Sequence, residues 1–224
     1  MEIALKAVLF DLGTTLVKTA PVPEIFNRLL APAGIRRPLE EIEAALKEAN
    51  EHLKPEDYAL SYDEFWRLYN MRILERLGVQ ENLESLADDI ADSWWENADL
   101  ELYPDVKETV RTLKGMGIKI GIVTNGFQTD IDEILSRTSL TGVFDVTVGA
   151  DAVGRPKPDE KIFVYALEKL GVSPQEAIFI GDQPRIDYEG AANAGLKPLL
   201  VDRNDEIHER IRKIRDLREV LNYL

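Results

Sequence analysis

Ala7-Val8-Leu9-Phe10-Asp11-Leu12-Gly13-Thr14-Thr15 sets four apolar residues before an acid, then a glycine and two hydroxyls. A run so short and so apolar suits a strand covered on both faces, as in parallel sheets. Four further runs read the same way: Ile118 to Val123, Phe144 to Val148, Ala177 to Ile180, and Pro198 to Val201. Helical periodicity separates the last four. Val106, Val110 and Leu113 share one face of 105–116, and Ile131, Ile134 and Leu135 one face of 129–137. Ile162, Phe163, Ala166, Leu167 and Leu170 line 159–170, and a short alanine-rich stretch fills 189–194. Gly117, Gly171 and Gly195 stand where helices should stop. Strand, helix, strand in repetition predicts an α/β fold with a doubly wound parallel sheet.

One interval breaks the rhythm. Between the first two strands lie over a hundred residues without a convincing strand. Stretches 40–49, 63–77 and 82–95 carry amphipathic helical patterns instead. A crossover needs only about a dozen residues. The excess predicts an all-helical insert, residues 17–103, set into a core of residues 1–16 and 104–224, with hinges near Val17-Lys18 and Leu102-Tyr103-Pro104. The tryptophans and tyrosines of the insert read mainly as core packing. Its segment Lys18 to Phe26 and Trp94-Trp95 are candidates for substrate contact. The tail from Asp205 to Leu224, with Ile207, Ile211, Ile214 and Leu217 on one face, reads as a surface helix.

Composition narrows the function. Of 224 residues, 27 are basic and 41 acidic, a net charge of −14. So acidic a chain is a poor partner for nucleic acid or anionic membrane. There is no cysteine, which excludes disulfides and thiolate chemistry. The two histidines, His52 and His208, sit in no motif and read as non-catalytic. No apolar run approaches the ~20 residues of a membrane span, and no signal peptide is visible. The expected setting is cytoplasmic, as a monomer or weak homodimer.

In open parallel sheets ligands bind beyond the carboxyl ends of the strands. There the sequence places Asp11, then Thr124-Asn125-Gly126, then Gly154-Arg155-Pro156-Lys157-Pro158, then Gly181-Asp182 with Asp187 five residues on. Singly, each is an ordinary turn or cap residue. Jointly, at four segment ends, they predict three carboxylates, a hydroxyl and a lysine on one rim. Three carboxylates a few Å apart repel one another, and a divalent cation resolves that. With no histidine or cysteine nearby, a hard ion such as Mg2+ suits Asp11, Asp182 and Asp187 better than zinc. Thr124 and Lys157 would then meet an anionic substrate, and the glycines would let backbone N–H groups approach a phosphate.

These four segments, in this order, resemble the motifs of the haloacid dehalogenase-like hydrolase superfamily, and the resemblance covers the whole chain, insert included. It implies a Rossmann-like catalytic core with a helical cap after the first motif. It implies a Mg2+-dependent phosphatase acting on a small phosphorylated metabolite through an aspartyl-phosphate on Asp11. In that scheme Thr124 and Lys157 hold the transferred oxygens. Gly13, Thr14, Thr15, Asn125 and Gly126 line the phosphate site. Asp11, the main-chain carbonyl of Gly13, Asp182 and Asp187 hold the metal. The chain departs from the pattern at Gly13, where phosphatases of this superfamily usually carry a second Asp as general acid and base. That departure keeps three alternatives open: a haloacid dehalogenase; a phosphonate hydrolase, for which Lys47 and Lys54 are the candidate cap lysines; or a weakened member that binds phosphate or protein.

Overall fold

The computed structural model describes residues 4–224. The chain divides into two compact units. One joins the residues up to Lys18 with Glu101–Leu224, and the other is Thr19–Leu100.

The first unit is an α/β sheet domain. Its strands are β1 (Ala7–Phe10), β4 (Lys119–Val123), β5 (Val146–Val148), β6 (Ala177–Gly181), β7 (Lys197–Val201) and β8 (Lys213–Ile214), in the order β5-β4-β1-β6-β7-β8. Every neighbouring pair is parallel. Phe10 pairs with Ile122 on one side and Ile180 on the other, so the residues after β1, β4 and β6 emerge together at one edge. The chain runs from β1 outward to β5 and then crosses back to β6, which makes the centre of the sheet its switch point. Helices α5 (Val106–Gly115), α6 (Gln128–Arg137), α7 (Glu160–Leu170) and α8 (Gly190–Asn193) alternate with the strands. All of β1 and β6 is buried, and Phe163 of α7 meets Phe179 of β6 edge to face at 5.0 Å.

Two features differ from the sequence reading. Residues 17–18 and 101–102 do not form plain hinges. They pair antiparallel as a small ribbon, β2 (Val17–Lys18) and β3 (Glu101–Leu102). Two residues per strand leave no periodicity to detect. The tail is not one surface helix either. Asp202 accepts bonds from the N–H groups of Glu206 and Ile207 and from Lys213 Nζ. Local bonds of this kind compete with helix formation, and the chain instead adds β8 to the sheet. Leu217–Tyr223 then forms a three-ten helix begun by Asp216, whose carboxylate accepts from Arg218 N–H.

The second unit is all helical: α1 (Val22–Leu30), α2 (Leu39–Glu51), α3 (Tyr62–Arg76) and α4 (Leu83–Asn97). Ser61 and Glu64 cap α3 reciprocally, which explains where that helix starts. Phe26, Leu30, Ile42, Leu46, Ile73, Leu74 and Ile90 build its core. Phe26, expected among possible substrate contacts, is 1% exposed and lies 5.5 Å edge-on from Trp94, so this pair serves packing. Lys47 and Lys54 are exposed. Among the described residues, no helix is long and apolar enough to cross a membrane.

Candidate active site

Asp11 follows the last residue of β1, and its N–H donates to Ile180 of the neighbouring strand at 2.8 Å. Both carboxylate oxygens are engaged. Lys157 Nζ donates to Oδ1 at 2.6 Å, and Thr15 Oγ1 donates to Oδ2 at 3.3 Å. The same ammonium donates to Asp187 Oδ1 at 2.7 Å and lies 5.2 Å from the centre of the Phe179 ring. Lys157 is 3% exposed and Asp187 1%, so one buried cation bridges two buried anions. Burial pushes the Asp11 carboxyl up to about 7; Lys157 opposes the rise, and Asp187 and Asp182 add to it. Burial pulls the Lys157 ammonium down, but Asp11 and Asp187 outweigh it and the net push is upward.

Asp187 reaches this position through the loop after β6. Its Oδ2 accepts from the N–H groups of Asp182 at 3.1 Å and Gln183 at 3.0 Å, which folds the carboxylate back over the end of the strand. Only glycine fits at 181, because a Cβ there would lie 2.3 Å from Asp187 Cγ and 2.4 Å from its Oδ2. Asp182 receives Thr14 Oγ1 on Oδ2 at 2.5 Å. Thr14 sits at φ +55°, a left-handed conformation costing a threonine about 1–2 kcal/mol. Its hydroxyl bonds to Asp182 and to the Gly13 carbonyl at 2.7 Å hold it there.

The loop after β4 brings Thr124, buried, with its N–H on the Val148 carbonyl and its Oγ1 accepting from Gly126 N–H at 3.3 Å. Asn125 spends its side chain on Lys157. Its Oδ1 accepts from Lys157 N–H at 2.6 Å and its Nδ2 donates to the Lys157 carbonyl at 3.0 Å. An asparagine expected to line a phosphate thus clamps the backbone of the lysine. Gly13 and Thr14 are exposed, and Thr15 is fully buried.

Asp11, Asp182 and Asp187 each offer an oxygen within 4.8 Å of the other two. Among the described residues, the ion pairs of these three carboxylates are those of Asp11 and Asp187 with Lys157. Asp182 Oδ1 is buried and has no hydrogen-bond partner, although burial already pushes that carboxyl up. A bare carboxylate oxygen in an oxygen-only, cation-poor cluster is what a hard divalent ion would satisfy. The donor set fits such an ion.

One group was not legible in the sequence. Arg203, in the loop after β7, donates to both oxygens of Asp105 at 2.8 and 3.1 Å and to the Thr15 carbonyl at 3.0 Å. Its guanidinium lies 3.8 Å from the centre of the Tyr103 ring, and Asp105 also accepts from Leu217 N–H. The loop that carries the hydroxyl touching Asp11 is therefore anchored from beneath. Nothing in the spacing links these positions, because they lie 98 and 188 residues apart.

Comparison with known proteins points to one family. The model of the haloacid dehalogenase-like hydrolases matches residues 5–195. A glyceraldehyde 3-phosphate phosphatase of Methanopyrus kandleri is 33% identical over 86% of this chain and 82% of its own length. A phosphoserine phosphatase of Thermus thermophilus is 29% identical over 96% of this chain and 98% of its own. The crystal structure of a phosphatase of the same family from Thermococcus onnurineus superposes with a TM-score of 0.71 at 29% identity, covering 98% of this chain and 97% of that one. On the match over most of its length, the chain belongs to the haloacid dehalogenase-like hydrolases.

Proposed function

We propose that the protein is a Mg2+-dependent phosphatase that acts on a small phosphorylated metabolite, with Asp11 as nucleophile. The observation that carries this reading is the Asp11 carboxylate at the end of the central strand, held between Lys157 and Thr15 and grouped with Asp182 and Asp187. In this reading the core up to residue 16 and from residue 104 does the chemistry, and the helical insert 17–103 is the cap.

The nucleophile is oriented before substrate arrives. Thr15 and Lys157 leave Asp11 little freedom to rotate. A carboxylate oxygen of Asp11 attacks phosphorus, the bond from phosphorus to the leaving oxygen breaks, and water then attacks the phosphorus of the aspartyl-phosphate and frees Asp11. Splitting one hard displacement into two is the gain of covalent catalysis. Lys157, fixed by Asn125 through its backbone and by Asp187 through its ammonium, stands ready to receive negative charge from the phosphoryl oxygens. The Thr124 hydroxyl and the N–H groups of the 124–126 turn serve the same oxygens. Mg2+, held by Asp11, the Gly13 carbonyl, Asp182 and Asp187, would neutralise developing charge on those oxygens. Asp187 contributes chiefly by holding Lys157 and the 182–183 backbone.

Phosphate release from a panel of phosphorylated metabolites, with Mg2+ and with EDTA, tests this. Release that needs Mg2+ and vanishes in Asp11→Asn is expected. Release that survives both changes overturns the reading, and EDTA-resistant halide release from haloacids would favour the dehalogenase alternative.

A further inference from the structure

We propose, resting on that reading, that Gly13 directs the enzyme to phosphates whose leaving group departs as a stable anion, such as acyl, aryl and enol phosphates, and makes hydrolysis of the Asp11 phosphoenzyme its slow step. Expelling an alkyl alcohol from phosphorus requires a proton on the departing oxygen. A positioned acid contributes roughly 10²–10⁴-fold to such a step. The loop after Asp11 holds no such acid. Leu12 is apolar and buried, Gly13 has no side chain, and the Thr14 and Thr15 hydroxyls already donate to Asp182 and Asp11.

The charged groups around Asp11 are committed as well. Lys157 bridges two carboxylates, both oxygens of Asp187 accept bonds, and Asp182 belongs to the cation cluster. The gap at position 13 is real space. A Cβ built on Gly13 meets nothing within 4 Å, the residue is exposed, and its φ is not positive. An acid would fit there without strain.

The same absence acts on both chemical steps. In the first, the Asp11 oxygen bonds to phosphorus and the phosphorus–leaving-oxygen bond breaks, so the leaving group keeps the electron pair and must be stable as an anion. In the second, a water oxygen bonds to phosphorus, the bond from phosphorus to Asp11 breaks, and the water proton passes to solvent with no base to receive it. Good leaving groups make the first step fast, whereas the second is identical for every substrate. Phosphoenzyme must then accumulate. This substrate class differs from the alkyl monoesters after which the Methanopyrus and Thermus relatives are named.

The test is rapid-quench and steady-state kinetics with Mg2+ on aryl phosphates of graded phenol acidity and on alkyl phosphates. For the wild type, kcat/KM should fall at least ~100-fold from nitrophenyl to alkyl phosphates. Good substrates should give a burst of phenol close to one equivalent of enzyme. Gly13→Asp should raise the alkyl rates by ~10²–10⁴ and abolish the burst. Gly13→Asn, which adds the bulk without the proton, should do neither. Equal wild-type rates on alkyl and aryl esters, or turnover of aryl esters without a burst, would overturn the proposal while leaving the phosphatase reading intact. An absence of phosphate release from every ester would overturn the phosphatase reading itself.

Discussion

Two glycines flank the candidate site, and the structure assigns them opposite tolerances. At Gly181 an added methyl would lie 2.3–2.5 Å from Cγ, Oδ2 and Cβ of Asp187, whereas at Gly13 it would meet nothing within 4 Å. Gly181→Ala therefore has to push Asp187 aside. Overpacking of this kind costs about 1–3 kcal/mol. The displaced carboxylate also gives up bonds from Lys157 Nζ, Asp182 N–H and Gln183 N–H, each charge-assisted bond contributing about 1.5–3 kcal/mol. Partial relaxation keeps the total near 3 kcal/mol, or a fall of about 6–12 °C in Tm for a chain of this size. Because Lys157 loses one of its two anchors, kcat should fall about 100-fold, the scale of a 1 Å misplacement. Gly13→Ala should melt within about 2 °C of the wild type, as surface changes within about ±0.5 kcal/mol do. Thermal melts by circular dichroism and Mg2+-supported hydrolysis of an aryl phosphate measure both. A Gly181→Ala protein with wild-type Tm and turnover would refute the packing argument, as would equal destabilisation by the two variants.

Three further outcomes follow from the geometry. The Asp11 carboxyl holds its proton to about 7 when folded against 3.8 as a free group, so the folded state binds the extra proton between those values. Stability of metal-free protein should therefore fall as pH rises from 4 to 7, by up to about 4 kcal/mol; melts in EDTA should show that slope in the wild type and a flatter one in Asp11→Asn, and a wild-type stability rising over that window would contradict it. Asn125→Ala removes both side-chain bonds to the Lys157 backbone, and kcat should fall about 10-fold or more with the melt lowered by about 1–3 kcal/mol; unchanged kcat would show the clamp to be idle. Arg203→Met strips a nearly buried Asp105 of its ion pair and frees the Thr15 carbonyl, a loss of about 3–5 kcal/mol visible in urea unfolding; Arg203→Lys, which lacks the planar fork, should recover less than half of it.

The sheet was legible because most of its strands are short, largely apolar runs separated by periodic helices, and local pattern carries that information. The edge additions were not. A two-residue ribbon at 17–18 and 101–102 has no period, and β8 forms because Asp202 gathers the N–H groups of Glu206 and Ile207, a choice made by hydrogen bonds rather than by the apolar spacing of the tail. At the site, strand ends foretold which residues would share a rim, since parallel strands bring their carboxyl ends together. They did not foretell what each side chain would touch. That Asn125 holds the Lys157 backbone, that Asp187 turns both oxygens inward, and that Arg203 props the Thr15 loop all depend on contacts between residues 30 or more apart, or on a loop's fold, and no motif spacing encodes them.

The central claim is that Asp11 is phosphorylated during turnover. Acid-quenched enzyme taken during hydrolysis of an aryl phosphate, digested and mapped by mass spectrometry, addresses it directly. The account predicts one added phosphoryl group on the peptide carrying Asp11, lost on treatment with hydroxylamine and absent from Asp11→Asn. An unmodified Asp11 peptide during rapid turnover, or a phosphoryl group on any other residue, would contradict it.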